Sequence, residues 1–231
     1  MPQSSRFAVF GIGRYGTQIA LALASKGAEV FTFDSNSVRS ENIKDSVSLA
    51  VTLDATDIRA LKTQRVQDMD AAVVAIGENF EATVLTALNL LDLGVPRVIV
   101  RSNGEHQQRI LSSLGVKEIL TPESEVASVI SERLIHPNIG GFLELPDDYE
   151  IAEIHAPKNC IGRPLGSIDL TNRYELRLIT IRRVFETDEE GLSKTEHIIG
   201  VPKPEMEIEA TDTLVVFGTL TAVKRFLEIN S

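Results

Sequence analysis

The sequence predicts an α/β protein, a Rossmann-like doubly wound parallel sheet followed by a small α+β module. Three observations carry that prediction. Short apolar runs alternate with segments of helical period from Phe7 to about Ile135. The first run ends on Gly11-Ile12-Gly13-Arg14-Tyr15-Gly16, a G-x-G-x-x-G placed where a strand would turn into a helix. Beyond Asp148 the chain changes to three apolar strand-like runs and one closing helix. The predicted domains are 1–140, with the crossover helix, and 141–231.

Each element has its own reason. Phe7 to Phe10 is apolar, and Ile19, Ala20, Leu23 and Ala24 then recur at helical spacing. In the turn between them, Gly11 permits a tight bend, Gly13 allows a diphosphate to approach the backbone, and Gly16 lets the helix pack on the sheet. Ala28 to Phe33 reads as a second strand closed by Asp34, 18 residues after Gly16. A carboxylate there suits ribose hydroxyls and repels a 2′-phosphate. Val38 to Ile43 suggests a short helix, Val47 to Val51 a third strand, and Ile58 to Val66 a helical or turn segment. Ala71 to Ile76 is almost wholly apolar, as a central parallel strand covered on both faces should be. Val84, Leu85, Leu88 and Leu91 mark a helix stopped by Gly94 and Pro96. Val98-Ile99-Val100, the helix Gln107 to Leu114 and the strand Val116 to Leu120 follow. Thr121 and Pro122 open the last long helix as N-cap and first-turn residues. His136 to Asp148, with two prolines and Gly140-Gly141, reads as a linker. Tyr149 to Ala156, Leu176 to Val184 and Thr213 to Phe217 read as strands, Thr187 to Lys194 as a charged hairpin loop, and Leu220 to Ile229 as a helix.

Composition narrows the function classes. The 231 residues carry a formal net charge of −10, with a pI near 5.0, which argues against a nucleic-acid or anionic-membrane surface. The single cysteine, Cys160, fits a reducing compartment, and no apolar run approaches the length of a spanning helix. The polar stretch Met1 to Arg6 lacks the apolar core of a secretory signal. A soluble cytoplasmic protein is expected.

The chemistry-bearing residues point to binding rather than turnover. Gly11, Asp34, Asp54, Gly77 and Arg101 all follow predicted strand ends, where ligands of such sheets bind. Arg14 lies inside the glycine loop. A cation is disfavoured at a helix start, so this arginine suits a further phosphate, as in ATP, better than solvent alone. Glu123 reads equally as a first-turn carboxylate facing the helix dipole or as a ligand for a divalent cation held against phosphate. None of His106, His136, His155 and His197 has a recognisable catalytic context, and no zinc-site spacing or P-loop is present. No enzyme is expected. The rival reading is a soluble NAD(H)-binding oxidoreductase or redox sensor.

Taken together, Phe7 to Gly16, Asp34, Asp54-Ala55-Thr56-Asp57, Val73 to Thr83 and Thr121-Pro122-Glu123-Ser124 resemble the Ktr/Trk class of bacterial potassium-uptake regulatory subunits. Such chains join an RCK (regulator of potassium conductance) N-domain to a small RCK C-domain, and this one is most similar to the Ktr gating form. The resemblance implies a homodimer assembling into an octameric ring under a dimeric potassium-translocating membrane subunit, peripheral to the inner face of the membrane. It implies competing ATP and ADP. Gly11, Ile12, Gly13, Tyr15 and Gly16 would form the phosphate loop, with Arg14 on the γ-phosphate. Asp34 and Ser35 would take the ribose. Asp54 and Ala55 would flank adenine, and Ile76, Gly77 and Asn79 would line the pocket. Arg101 would lie near the phosphates, and Glu123 would hold Mg²⁺ or Ca²⁺ between subunits. Some relatives bind cyclic di-AMP through an arginine-containing stretch followed by a tyrosine. Here Leu170 to Tyr174 keeps the tyrosine but has Thr171 at the arginine's place, which leaves cyclic di-AMP doubtful.

Overall fold

The computed structural model describes residues 5–135, 137–186 and 194–231. It divides into two compact units between Glu125 and Val126, where the sequence reading put the boundary at 140/141.

The first unit alternates strand and helix: β1 (Arg6–Phe10), α1 (Arg14–Ser25), β2 (Glu29–Asp34), α2 (Ser37–Ile43), β3 (Leu49–Thr52), α3 (Ile58–Thr63), β4 (Ala71–Val74), α4 (Phe80–Asp92), β5 (Val98–Arg101), α5 (Glu105–Ser113) and β6 (Glu118–Leu120). The strands form one sheet in the order β3-β2-β1-β4-β5-β6, every pairing parallel. That order reverses between β1 and β4, the switch point at which such sheets leave a crevice. Apolar side chains fill both faces. Ala8, Phe10, Ala72 and Val74 pack with Leu90 and Leu111, while Val9 faces the other way onto Ile12, Ala20, Val30 and Ile43. Phe10 and Phe33, at the ends of β1 and β2, stack with centroids 4.8 Å apart.

Helix α6 (Pro122–Ile135) begins in the first unit and runs past the division. Thr121 and Glu125 start it reciprocally: the Thr121 N–H and hydroxyl donate to Glu125 Oε1 at 3.1 and 3.3 Å, and the Glu125 N–H donates to Thr121 O at 3.0 Å.

The second unit holds β7 (Ile139–Glu144), β8 (Tyr149–His155), α7 (Leu165–Ile168), α8 (Leu170–Tyr174), β9 (Arg177–Glu186), β10 (Lys194–Ile198), β11 (Thr213–Thr219) and α9 (Leu220–Asn230). Its antiparallel sheet runs β10-β9-β11-β8-β7. The expected linker 136–148 therefore contains a strand. Gly140 and Gly141 do not break it: the register shifts between Ile139 and Gly141, the irregularity glycines permit inside a strand. Of the expected loop Thr187 to Lys194, residues 187–193 lie outside the described residues. Arg183 is held by the buried Asp212 through two contacts, 2.7 and 2.8 Å. Burial raises the Cys160 thiol's pKa.

Candidate functional site

The glycine loop is built by sterics. Gly11 has φ +88°, and a Cβ there would lie 2.9 Å from Ile76 Cγ1. A Cβ on Gly16 would lie 2.0 Å from Gly11 O, so α1 rests directly on the turn. Gly13 differs: a Cβ there would meet nothing within 4 Å. The space beside it belongs to the crevice rather than to packed protein. Gly13 is also the N-cap of α1, with no side-chain cap bond and no acidic residue in the first turn. By contrast, Asn79 caps α4 through the Ala82 N–H at 3.0 Å, and Glu81 sits in that first turn. A glycine cap costs only a few tenths of a kcal/mol against Ser, Asp or Asn. It leaves an N-terminus receptive to an anion.

Asp34 ties this loop to β2. Its buried carboxylate accepts the Ile12 N–H at 2.5 Å and the Asn36 N–H at 2.8 Å, and Arg39 Nη1 lies 3.6 Å from Oδ2. A carboxylate offers about four acceptor sites, so capacity for a ribose hydroxyl remains. Ile12 and Gly16, both buried, build the crevice without lining it. Ile12 spends its N–H on Asp34 and its side chain on the core.

The crevice encloses about 790 Å³ at the carboxyl ends of the strands. Gly11, Gly13, Arg14, Tyr15, Asp34, Ser35, Asp54, Ala55, Ile76, Gly77, Asn79, Arg101 and Glu123 all line it, although they span most of the first unit's sequence. Arg14 is exposed at the first residue of α1, and among the described residues its guanidinium has no ion pair. Asp54 folds back on Thr56, accepting its N–H at 2.9 Å and its hydroxyl at 2.7 Å. Sequence reasoning missed Asn89, which lies behind this turn and donates to the carbonyls of Ala55 (3.2 Å) and Thr56 (2.9 Å). It also missed Asn103, whose side chain donates to Gly77 O at 2.7 Å, and Arg39. No local signal marks either asparagine, since their partners are distant in sequence.

Arg101, the last residue of β5, joins Tyr15 and Glu123 in the crevice lining. Its Nη2 donates to Glu123 Oε1, and its guanidinium lies over the Tyr15 ring, 5.3 Å from the centroid. Its Nε is buried without a hydrogen-bond partner. Glu123's own backbone N–H and the Arg101 guanidinium hold the Glu123 carboxyl below the usual range, against a smaller opposing effect of burial. Burial chiefly, then the Glu125 charge, raises the Tyr15 phenol. Among the described residues no group of three His, Cys, Asp or Glu is placed to hold a metal. Glu123 by itself gives a divalent cation one carboxylate, which fits only if oxygens from elsewhere complete the shell.

His106, His155 and His197 do not line the crevice, and His136 lies outside the described residues. In the second unit, Tyr174 is buried: its ring meets Phe226 edge-on at 5.0 Å and its hydroxyl accepts from Asn230 Nδ2 at 3.1 Å. It is a core residue rather than a stacking platform.

The TrkA-N domain family matches residues 7–122, the stretch that builds the crevice. The chain is 32% identical to Ktr system potassium uptake protein C of Bacillus subtilis (strain 168) over 220 residues, covering 95% of each chain. It belongs to the TrkA-N potassium uptake family. Ktr system potassium uptake protein A of the same organism is 27% identical over 224 residues, 97% of this chain and 96% of that one. Two solved structures share the fold. The GsuK RCK domain superposes with a TM-score of 0.63 at 16% identity over 100% of this chain, and the GsuK channel bound to NAD with 0.62 at 17% over 99%. The chain spans 48% and 40% of those two proteins. The family is one of potassium uptake proteins, not of enzymes. Among the described residues no helix of this TrkA-N chain is long and apolar enough to cross a membrane.

Proposed function

We propose that this chain is the nucleotide-binding regulatory subunit of a bacterial potassium uptake system, switched by ATP and ADP. The observation that carries this reading is Arg14: an exposed guanidinium, unpaired among the described residues, at an uncapped helix N-terminus that opens on the crevice. Backbone N–H groups suffice for two phosphates, and Arg14 is then free for a third. ATP and ADP differ by that phosphate, and a ligand shifts an equilibrium only through differential affinity. Glu123 would add one carboxylate to a Mg²⁺ or Ca²⁺ ion that neutralises phosphate charge. The ribose would hydrogen-bond Asp34 beside Ser35, and the base would lie against Ala55 and Ile76 between Asp54 and Asn79.

The partner in this reading would be a potassium-translocating membrane subunit, with this chain on its cytoplasmic side; similarity to Ktr potassium uptake proteins supports it. A homodimer that builds an octameric ring would carry the change. The functional domains we assign are the RCK pair, 1–140 and 141–231. A second reading, NAD(H) binding, is favoured by Asp34 at the ribose position and by the fold shared with the NAD-bound GsuK channel.

Calorimetric titration of nucleotide-stripped protein with ATP, ADP and NADH, each with and without Mg²⁺ or Ca²⁺, separates the two. Tight ATP and ADP binding is expected, with the cation strengthening ATP alone. Arg14→Ala should weaken ATP roughly tenfold or more, the worth of one charged hydrogen bond, and change ADP less than about twofold. Equal losses for both ligands, or tight NADH with weak ATP, would refute the switch.

A further inference from the structure

We propose that Arg101 is a ligand-sensing arm of the crevice: without nucleotide it occupies Glu123, and a nucleotide phosphate draws it away, leaving Glu123 free for a divalent cation. The proposal rests on the nucleotide reading above and names a regulation of that same site. Its grounds are geometric. Arg101 and Glu123 line one crevice with Gly13 and Arg14, the loop residues that would face a phosphate in that reading. The Arg101 side chain is 19% exposed and Glu123 61%, so the pair joins a held cation to a carboxylate open to solvent. Two neighbours flank the guanidinium. Tyr15 lies across its face, and Gly77 leaves the space for Nη1, where a Cβ would come within 2.8 Å.

Its bonding is also incomplete. Nε is buried with no acceptor, whereas a guanidinium has five donors in a fork that matches phosphate oxygens. A bound phosphate therefore offers Arg101 more than one carboxylate oxygen does. The same ion pair engages Oε1 of Glu123, and a carboxylate engaged with a guanidinium is a poor metal ligand. Phosphate and divalent cation thus become mutually helpful before they touch each other. Phosphate removes Arg101 from Glu123, and a cation on Glu123 keeps Arg101 on the phosphate.

A double-mutant cycle on the full chain tests this, with ATP titrated calorimetrically in EDTA so that no cation contributes. Glu123→Gln releases the arm and should tighten ATP about threefold, the scale of an exposed ion pair. Arg101→Gln should weaken ATP about tenfold, the scale of a charged hydrogen bond. In the Arg101→Gln background, Glu123→Gln should have no effect. If instead Glu123→Gln tightens ATP equally in both backgrounds, the carboxylate merely repels phosphate and the arm is refuted. The arm is equally refuted if Arg101→Gln leaves ATP binding unchanged. Should Arg101→Gln not fold, Arg101→Met keeps an unbranched apolar side chain at the position and serves in the same cycle. Absence of ATP binding by the unaltered chain would overturn the nucleotide reading together with the arm. ATP binding by that chain with no gain from Glu123→Gln would overturn the arm alone.

Discussion

Asp34→Asn should loosen the glycine loop even when no nucleotide is present. The carboxylate accepts two backbone N–H groups, from Ile12 on one oxygen and Asn36 on the other. A carboxamide has one acceptor oxygen, so one of these donors must face its NH₂ group. If the oxygen keeps Ile12, the Asn36 N–H at 2.8 Å meets a donor and the bend after β2 must open. If it keeps Asn36, the N–H of Ile12, a residue only 4% exposed, is left without an acceptor. An unsatisfied buried donor costs about 1–3 kcal/mol, and the surviving bond loses its charge assistance. Arg39 adds little, because its end of the ion pair is 49% exposed. A net cost of about 2 kcal/mol in local opening corresponds to roughly thirtyfold faster amide exchange. The assay is hydrogen exchange of nucleotide-free protein, read on the peptide covering residues 10–16. Exchange within about threefold of the unaltered chain would refute the argument that Asp34 holds the loop. Loss of nucleotide affinity in this variant would then report a ribose contact alone.

Gly16→Ala should both destabilise the first unit and impair nucleotide binding, because its Cβ would lie 2.0 Å from Gly11 O. Shifting α1 off the turn should cost about 1–3 kcal/mol or more, as overpacking does; urea unfolding and calorimetry of the same sample check both effects. Tyr174→Phe should cost about 1 kcal/mol by removing an acceptor for Asn230, whose amide keeps its 2.8 Å bond to Phe226 O. It should leave nucleotide affinity unchanged, which thermal melts and titration with ATP would show.

The sequence carried the parts of the site that local physics dictates. An apolar run broken by three spaced glycines can hardly be anything but a strand turning into a helix, and Asp34 follows at the expected distance. Strand ends in a parallel sheet converge, so Gly11, Asp34, Asp54, Gly77 and Arg101 could be placed near one crevice without coordinates, whereas spacing left Glu123 equally a first-turn carboxylate or a cation ligand. What the sequence could not disclose is contact across chain distance. Asn89 reads as one more polar residue on a helix, yet it holds the carbonyls of Ala55 and Thr56 from 34 and 33 residues away. Nor does any pattern reveal that Arg101 and Glu123 close on each other. In the second unit, β7 hid behind Gly140-Gly141, which read as a break and instead accommodate an irregular register. β10, Lys194–Ile198, is an edge strand. Its Thr195, Glu196, His197 and Ile198 are all exposed, so no alternating face announces it.

The placement of Tyr15 has an optical consequence. The chain contains no tryptophan and three tyrosines, and the other two, Tyr149 and Tyr174, belong to the second unit. Tyr15 is thus the sole strong near-ultraviolet fluorophore of residues 1–125, and it lies against a guanidinium at the mouth of the crevice. Near-ultraviolet circular dichroism and tyrosine emission that vanish in Tyr15→Phe would come from that one ring. The unmodified protein carries its own dye in the crevice lining, with no label to perturb the loop it reports on.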